Sequence, residues 1–273
     1  MSVAQKINLK WPILLAYGGL SMPLAMIGLP LSIYLAPFYA GELGLPLALL
    51  GTAMLIGRFS DVITDPLIGT LSDRWRPRVG RRRVWILIGV PLLVAAVWML
   101  FNPVKGAGLG YFLAWLSCVY LSFTMIQLPY QAWGGELSNN YEERSRIVSV
   151  RQLFGIAGLI ASTALPAWIQ SKPGATSADV LHGLGQMMLF TLPFFAACLY
   201  FGVPDRAQET PPASLELKRS LRQLWRNAPF RRLNLVMLIG YTAETFRITI
   251  TLDRKSTRLN SSHRNTSRMP SSA

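Results

Sequence analysis

The chain has 273 residues, 51% of them hydrophobic, with a mean hydropathy of +0.34 and a formal net charge of +14. The apolar residues come in long runs, which excludes an ordinary soluble domain and points to an all-α polytopic membrane protein. The basic residues sit in short loops between those runs, so the positive charge is a topology signal and excludes a nucleic-acid footprint. The first apolar run is far longer than a signal h-region, and no cleavable signal peptide is expected. Cys118 and Cys198 fall inside apolar runs and read as packed thiols without metal-ligand spacing.

Lys6 and Lys10 precede a first predicted span over residues 11–39, which carries Pro23, Pro30 and Pro37. Prolines are tolerated in a membrane helix where neighbouring helices satisfy the freed carbonyls. The second span is predicted over 45–72, followed by an arginine-rich loop over 73–83. Spans three to six follow over 84–101, 109–133, 147–169 and 180–203. Each is long enough to cross a core of ~30 Å at ~1.5 Å per residue. Residues 1–203 thus form a six-helix unit and 204–230 a charged central loop. Residues 231–252 read as the start of an incomplete seventh helix. The Lys and Arg residues concentrate at the N-terminus and in alternate loops, which places the N-terminus in the cytoplasm.

Residues 253–273 are polar, rich in Ser and Arg, and without periodicity. One reading is a disordered cytoplasmic tail. The preferred reading is a foreign, non-native segment resembling translated adapter sequence, with the chain a fragment cut early in span seven.

The second span holds the chemistry. Arg58, Asp61 and Asp65 lie one turn apart on nearly one helix face, inside an apolar run. A charge at mid-bilayer costs about 2.5–3.5 kcal/mol on insertion scales, so such residues are paired and turned inward. Two carboxylates on one inward face offer hard oxygen ligands to Na⁺, or a proton site, and Arg58 is placed to hold the pair ionised. The bland alternative is a buried ion pair that only fixes helix packing. Asp73 and the Gly80-Arg81-Arg82-Arg83 run lie at the cytoplasmic edge. They read either as a positive-inside anchor or as a gate, with Asp73 paired to a basic residue across the bundle interface.

On span four, Gln127, Tyr130 and Gln131 bring polar groups and an aromatic ring that suit a sugar-like ligand, although Tyr130 also suits interface packing. Arg151 reads as a snorkelling anchor or a ligand donor. No catalytic set, nucleotide loop or haem-binding histidine pair is present in the sequence, so neither an enzyme nor a cofactor is expected beyond a coupling ion.

The pattern Asp61-x-x-x-Asp65-Pro66-x-x-Gly69-x-x-x-Asp73, with Arg58 before it and Gly80-Arg81-Arg82-Arg83 after it, resembles the glycoside–pentoside–hexuronide:cation symporter family of the major facilitator superfamily. Tyr17-Gly18, Pro129-Tyr130, Glu136-Leu137-Ser138, Glu143-Arg144 and Arg151 match further family features. The resemblance implies the N-terminal half of a twelve-helix transporter whose site lies between two six-helix halves. Asp61 and Asp65 would be the cation carboxylates, and Arg151 would lie near the solute. The implied partners are a small solute, Na⁺ or H⁺, the lipid bilayer and the missing C-terminal half. Against the family's melibiose carrier, acidic positions fall on Ala25 and Gln127, and the sugar-stacking tryptophan falls on Gln131. The cation pair is kept and the galactoside pocket is not. Two rival readings are a lysolipid or amphiphile carrier on the same scaffold, and a non-transporting membrane sensor or scaffold.

Overall fold

The architecture comes from a computed structural model that describes residues 9–75, 77, 80–138, 140–204, 226–243 and 246. Among these residues, six helical segments are long and apolar enough to cross a membrane. The first, Trp11–Glu42, is built from α1 (Trp11–Gly19), α2 (Ser21–Leu29), a π-helical turn (Pro30–Tyr34) and α3 (Leu35–Glu42). The others are α4 (Leu47–Arg74), α5 (Arg83–Phe101), α6 (Leu109–Glu136), α7 (Tyr141–Gln170) and α8 (Ser177–Gly202). No strand occurs among the described residues.

The interruptions in the first span follow from its prolines. Pro30 has no N–H to donate, and the helix widens there, with the Leu35 N–H reaching back to the Pro30 carbonyl. At the first residue of α2, the Ser21 hydroxyl lies 2.6 Å from the carbonyls of both Gly18 and Arg151, tying the first span to α7.

All six spans begin or end outside the predicted limits, the first running on to Glu42, and local capping explains two of the shifts. α7 starts at Tyr141 rather than 147 because the Asn140 side chain accepts from the Glu142 N–H at 3.0 Å. α8 starts at Ser177 rather than 180 because Thr176 and Asp179 form a reciprocal capping box. α6 runs on to Glu136, past the predicted limit of 133.

α1 and α2 pack on α7, α4 packs on α6, and α5 is sandwiched between α6 and α8. Contacts group the helix ends at two faces. At one, Arg83 donates to the Val203 carbonyl at 2.6 Å, and the Leu9 N–H donates to Glu143 Oε1 at 3.2 Å. At the other, His182 Nδ1 lies 2.5 Å from Asn102 Oδ1, and the Tyr111 hydroxyl donates to the Met99 carbonyl at 2.7 Å.

The core is braced across the first span and α6. Tyr17 and Tyr130 stack with ring centroids 4.6 Å apart. Each hydroxyl donates to the other residue's carbonyl, at 2.9 and 2.7 Å. Gly134 makes room for this brace, since a Cβ there would fall on the Tyr17 hydroxyl. Small residues serve the same end between α2 and α7, as in other membrane bundles. A Cβ on Gly158 would lie 2.2 Å from the Met22 carbonyl oxygen.

A separate unit begins at Ala213. Its described part is a helix over 228–243, preceded by Asn227, whose side chain accepts from the Phe230 N–H at 3.4 Å. Residues 228–230, predicted as loop, are therefore helical. Residues 205–225 of the predicted loop, 247–252 of the incomplete helix and the tail over 253–273 lie outside the described residues.

The Gly158 contact is with backbone, which cannot swing aside. Gly158→Ala is expected to cost about 1–3 kcal/mol of stability. Gly155→Ala, one turn earlier, would meet only the Gln152 side chain at an ordinary 3.9 Å and is expected to be neutral or better. Thermal unfolding of the two variants in one detergent checks the contrast.

Candidate cation site and the charged cluster at the loop face

Asp61 and Asp65 both face a cavity of about 350 Å³ enclosed by three elements. α2 and the turn after it contribute a floor without charge, including Ala25 and Gly28. α4 contributes Arg58 and both aspartates, and α6 contributes Tyr120, Thr124 and Gln127. α4 and α6 approach closely because residue 57 is glycine. A Cβ there would lie 2.5 Å from the Tyr120 ring. That approach sets Tyr120 beneath Arg58, whose guanidinium carbon lies 5.6 Å from the ring centroid.

Asp61 Oδ1 is buried and has no hydrogen-bond partner. Among the described residues, neither Asp61 nor Asp65 forms an ion pair. Arg58 lines the same cavity as the acids, and its guanidinium lies over the Tyr120 ring. A buried carboxylate oxygen without a donor has two remedies: it takes a proton, or it takes a cation. The donor set present is two carboxylates with a threonine hydroxyl, a tyrosine and a glutamine amide on the same cavity wall. Oxygen ligands of this kind suit a hard, small cation. No group of three or more His, Cys, Asp or Glu suited to a metal centre occurs among the described residues.

The other residues predicted at a solute site are placed differently. Gln127 lines the cavity. Tyr130 does not, because its hydroxyl and carbonyl are both used in the brace with Tyr17. Gln131 is exposed and lies outside the cavity wall. Arg151 is on α7, where its charge acts on Tyr17 and Tyr130 rather than on the cavity.

At the loop face, Arg82 is 4% exposed and gathers three oxygen partners. Its Nη2 lies 2.7 Å from Asp73 Oδ1 and 2.7 Å from Glu136 Oε1, and its Nη1 donates to Ser72 Oγ at 3.0 Å. Arg81 donates to the same Glu136 oxygen at 2.5 Å. Gly80 makes the approach possible with a φ of 116°, a left-handed conformation that favours glycine. Burial disfavours the Arg82 charge, but the Glu136 hydrogen bond and the Glu136 and Asp73 charges outweigh it and raise the guanidinium above its ordinary value. Asp73 thus pairs within this bundle, to Arg82. Glu136, which motif reading left without a role, is the common acceptor. Its signal in sequence was an acid at a span end on the face that carries an arginine run. Arg83 stands apart from the cluster, with its guanidinium carbon 5.1 Å from the Tyr200 ring centroid and 5.8 Å from that of Trp133.

A bundle of six membrane-length helices, with paired acids facing an internal cavity and a charged latch at one face, has the form of a membrane transport protein. The chain belongs to the MFS/sugar transport protein family, whose sequence profile matches residues 16–252. It is 28% identical over 214 residues to the inner membrane symporter YicJ of Escherichia coli K12, covering 77% of this chain and 46% of that one. It is 30% identical over 171 residues to the putative glycoside/cation symporter YagG of the same organism, covering 59% of this chain and 37% of the relative. The isoprimeverose transporter of Lactiplantibacillus pentosus is 27% identical over 209 residues, covering 73% of this chain and 43% of the relative. The chain spans less than half the length of each of these relatives.

The latch is asymmetric. Glu136→Gln removes charge-assisted bonds to two arginines, one of them deeply buried, and is expected to cost about 2–3 kcal/mol. Asp73 is half exposed, and Asp73→Asn is expected to cost about 1 kcal/mol or less. Unfolding midpoints of the two variants, measured side by side, should fall in that order.

Proposed function

We propose that this chain is the N-terminal half of a secondary active transporter that couples uptake of a small solute, a sugar or glycoside, to influx of Na⁺ or H⁺. The reading rests above all on the buried, unpartnered Asp61 oxygen beside Asp65 in a cavity between the first span, α4 and α6. Asp61 and Asp65 hold the coupling ion, and Thr124 and Tyr120 complete the wall around it. Gln127 is the residue of the predicted solute set that reaches the same cavity. The charged cluster of Asp73, Arg81, Arg82 and Glu136 holds one conformation closed at the loop face. With most basic residues in the N-terminus and the loops of that face, it lies in the cytoplasm. The membrane is a bacterial-type inner membrane, as the name of YicJ states for that relative. The names of YagG and the isoprimeverose transporter support the solute class.

An ion that binds the folded state stabilises it, by about 2.7 kcal/mol at a hundredfold excess over Kd. The purified chain is expected to unfold at higher temperature in sodium chloride than in choline chloride, or, for a proton site, at mildly acidic than at neutral pH. Asp61→Asn and Asp65→Asn are expected to abolish that dependence while leaving membrane insertion intact. In the complete transporter the same variants should lose solute accumulation. A chain whose stability ignores both sodium and pH, or variants that still accumulate solute, would refute the reading.

A further inference from the structure

Apart from the cation cavity, the structure holds a second cavity of about 450 Å³ between α5 and α8. Its walls are apolar, with Ile86, Val90, Pro193 and Ala197 among them. Its rim carries Leu87 and Phe201, which are 55% and 84% exposed. Neither α5 nor α8 contributes to the cation cavity, so this groove serves no part of that site.

One end of the groove is not apolar. Arg83 lines it, together with Trp133 and Tyr200. The guanidinium is fixed by one hydrogen bond to the Val203 carbonyl and by the two aromatic rings. Among the described residues it has no carboxylate partner, unlike Arg81 and Arg82 beside it in sequence. Two donors on groove-lining residues are buried without an acceptor, Arg83 Nε and the Trp133 indole nitrogen. The groove therefore has a guanidinium at its loop-face end, above an apolar trough.

We infer that this groove binds an anionic phospholipid of the leaflet on the loop side, with the headgroup phosphate at Arg83 and an acyl chain along Val90 and Pro193. Charge selects the occupant. A neutral acyl chain or a partner helix fills the trough but leaves the guanidinium without a counter-charge. A free phosphate meets the charge but leaves the trough empty. A lipid with a net negative headgroup meets both demands, and basic pockets between membrane helices are suited to such lipids.

The test uses the whole chain in detergent micelles, titrated with dibrominated phosphatidylglycerol or dibrominated phosphatidylcholine, with tryptophan quenching as the readout. Trp133 stands in the groove wall and reports occupancy. Phosphatidylglycerol is expected to quench at lower concentration than phosphatidylcholine. Arg83→Gln should weaken it about fivefold, the effect of one basic residue at an anionic surface. Ala197→Trp fills the trough and leaves Arg83 in place, so it tests the site even if Arg83→Gln fails to insert. It should abolish the preference as judged by native mass spectrometry of retained lipid. Equal response to the two lipids, undiminished phosphatidylglycerol retention in both variants, or full competition by inorganic phosphate would overturn the assignment.

Discussion

A charged group inside an apolar slab has no water to turn to, and it must find its partners in the protein or in what the protein binds. α4 carries this constraint at both of its working positions and meets it in opposite ways. At the loop face, Asp73 is answered within the chain, by an arginine that Ser72 and Glu136 also hold. In mid-helix, Asp61 is left with a buried oxygen that has no partner among the described residues. A bundle built only for stability would close both positions in the same way. The contrast fits the proposed reading, in which the acids of the loop-face cluster are paired within the chain and the acids of the cavity are paired by a ligand.

The rest of the fold can be understood as the support for that contrast. Gly57 brings Tyr120 under α4, and the ring seats the Arg58 guanidinium on the cavity wall beside the two acids. The Tyr17–Tyr130 brace fixes α6 to the first span, so the two outer walls of the cation cavity are held together. The π-turn at Pro30–Tyr34 lies in the same span, directly after the α2 residues that line the cavity. Rigidity on one side and an unsatisfied acid on the other leave α4 as the element with something to gain from an ion.

The sequence revealed more of the fold than of the site. Long apolar runs locate the spans without any knowledge of packing, and a spacing of four places Asp61 and Asp65 on one face by helix geometry alone. The span ends were less legible. Asn140 and Thr176 are polar residues in charged or polar stretches, yet they cap helices that extend into those stretches. Tyr130 looked like a ligand aromatic because one residue cannot show where its hydroxyl goes. Its partner is a carbonyl 113 residues away. Arg58 shows the same limit: the ring beneath it comes from α6, and spacing along one helix does not reveal it. Contacts across elements decide such cases, and they leave no local trace.

The distance between latch and ion site gives the last step. Asp61 and Asp73 are twelve residues apart on one helix, about 18 Å of rise, and Pro66 stands between them. Pro66 cannot donate to the Val62 carbonyl, so α4 has one weakened turn on the path from the ion to the latch. The side chains around that turn compensate only locally. The Thr64 hydroxyl donates to Ser60, and the Thr70 hydroxyl to Pro66 itself, which leaves the Val62 carbonyl unanswered by either. A helix that bears an unsatisfied acid on one side of a soft turn and a half-exposed ion pair on the other joins the two in the shortest covalent way the fold offers. In the proposed reading, ion binding at Asp61 and release of the Asp73–Arg82 pair are changes in one element, and no chain of intervening side chains is needed to relate them.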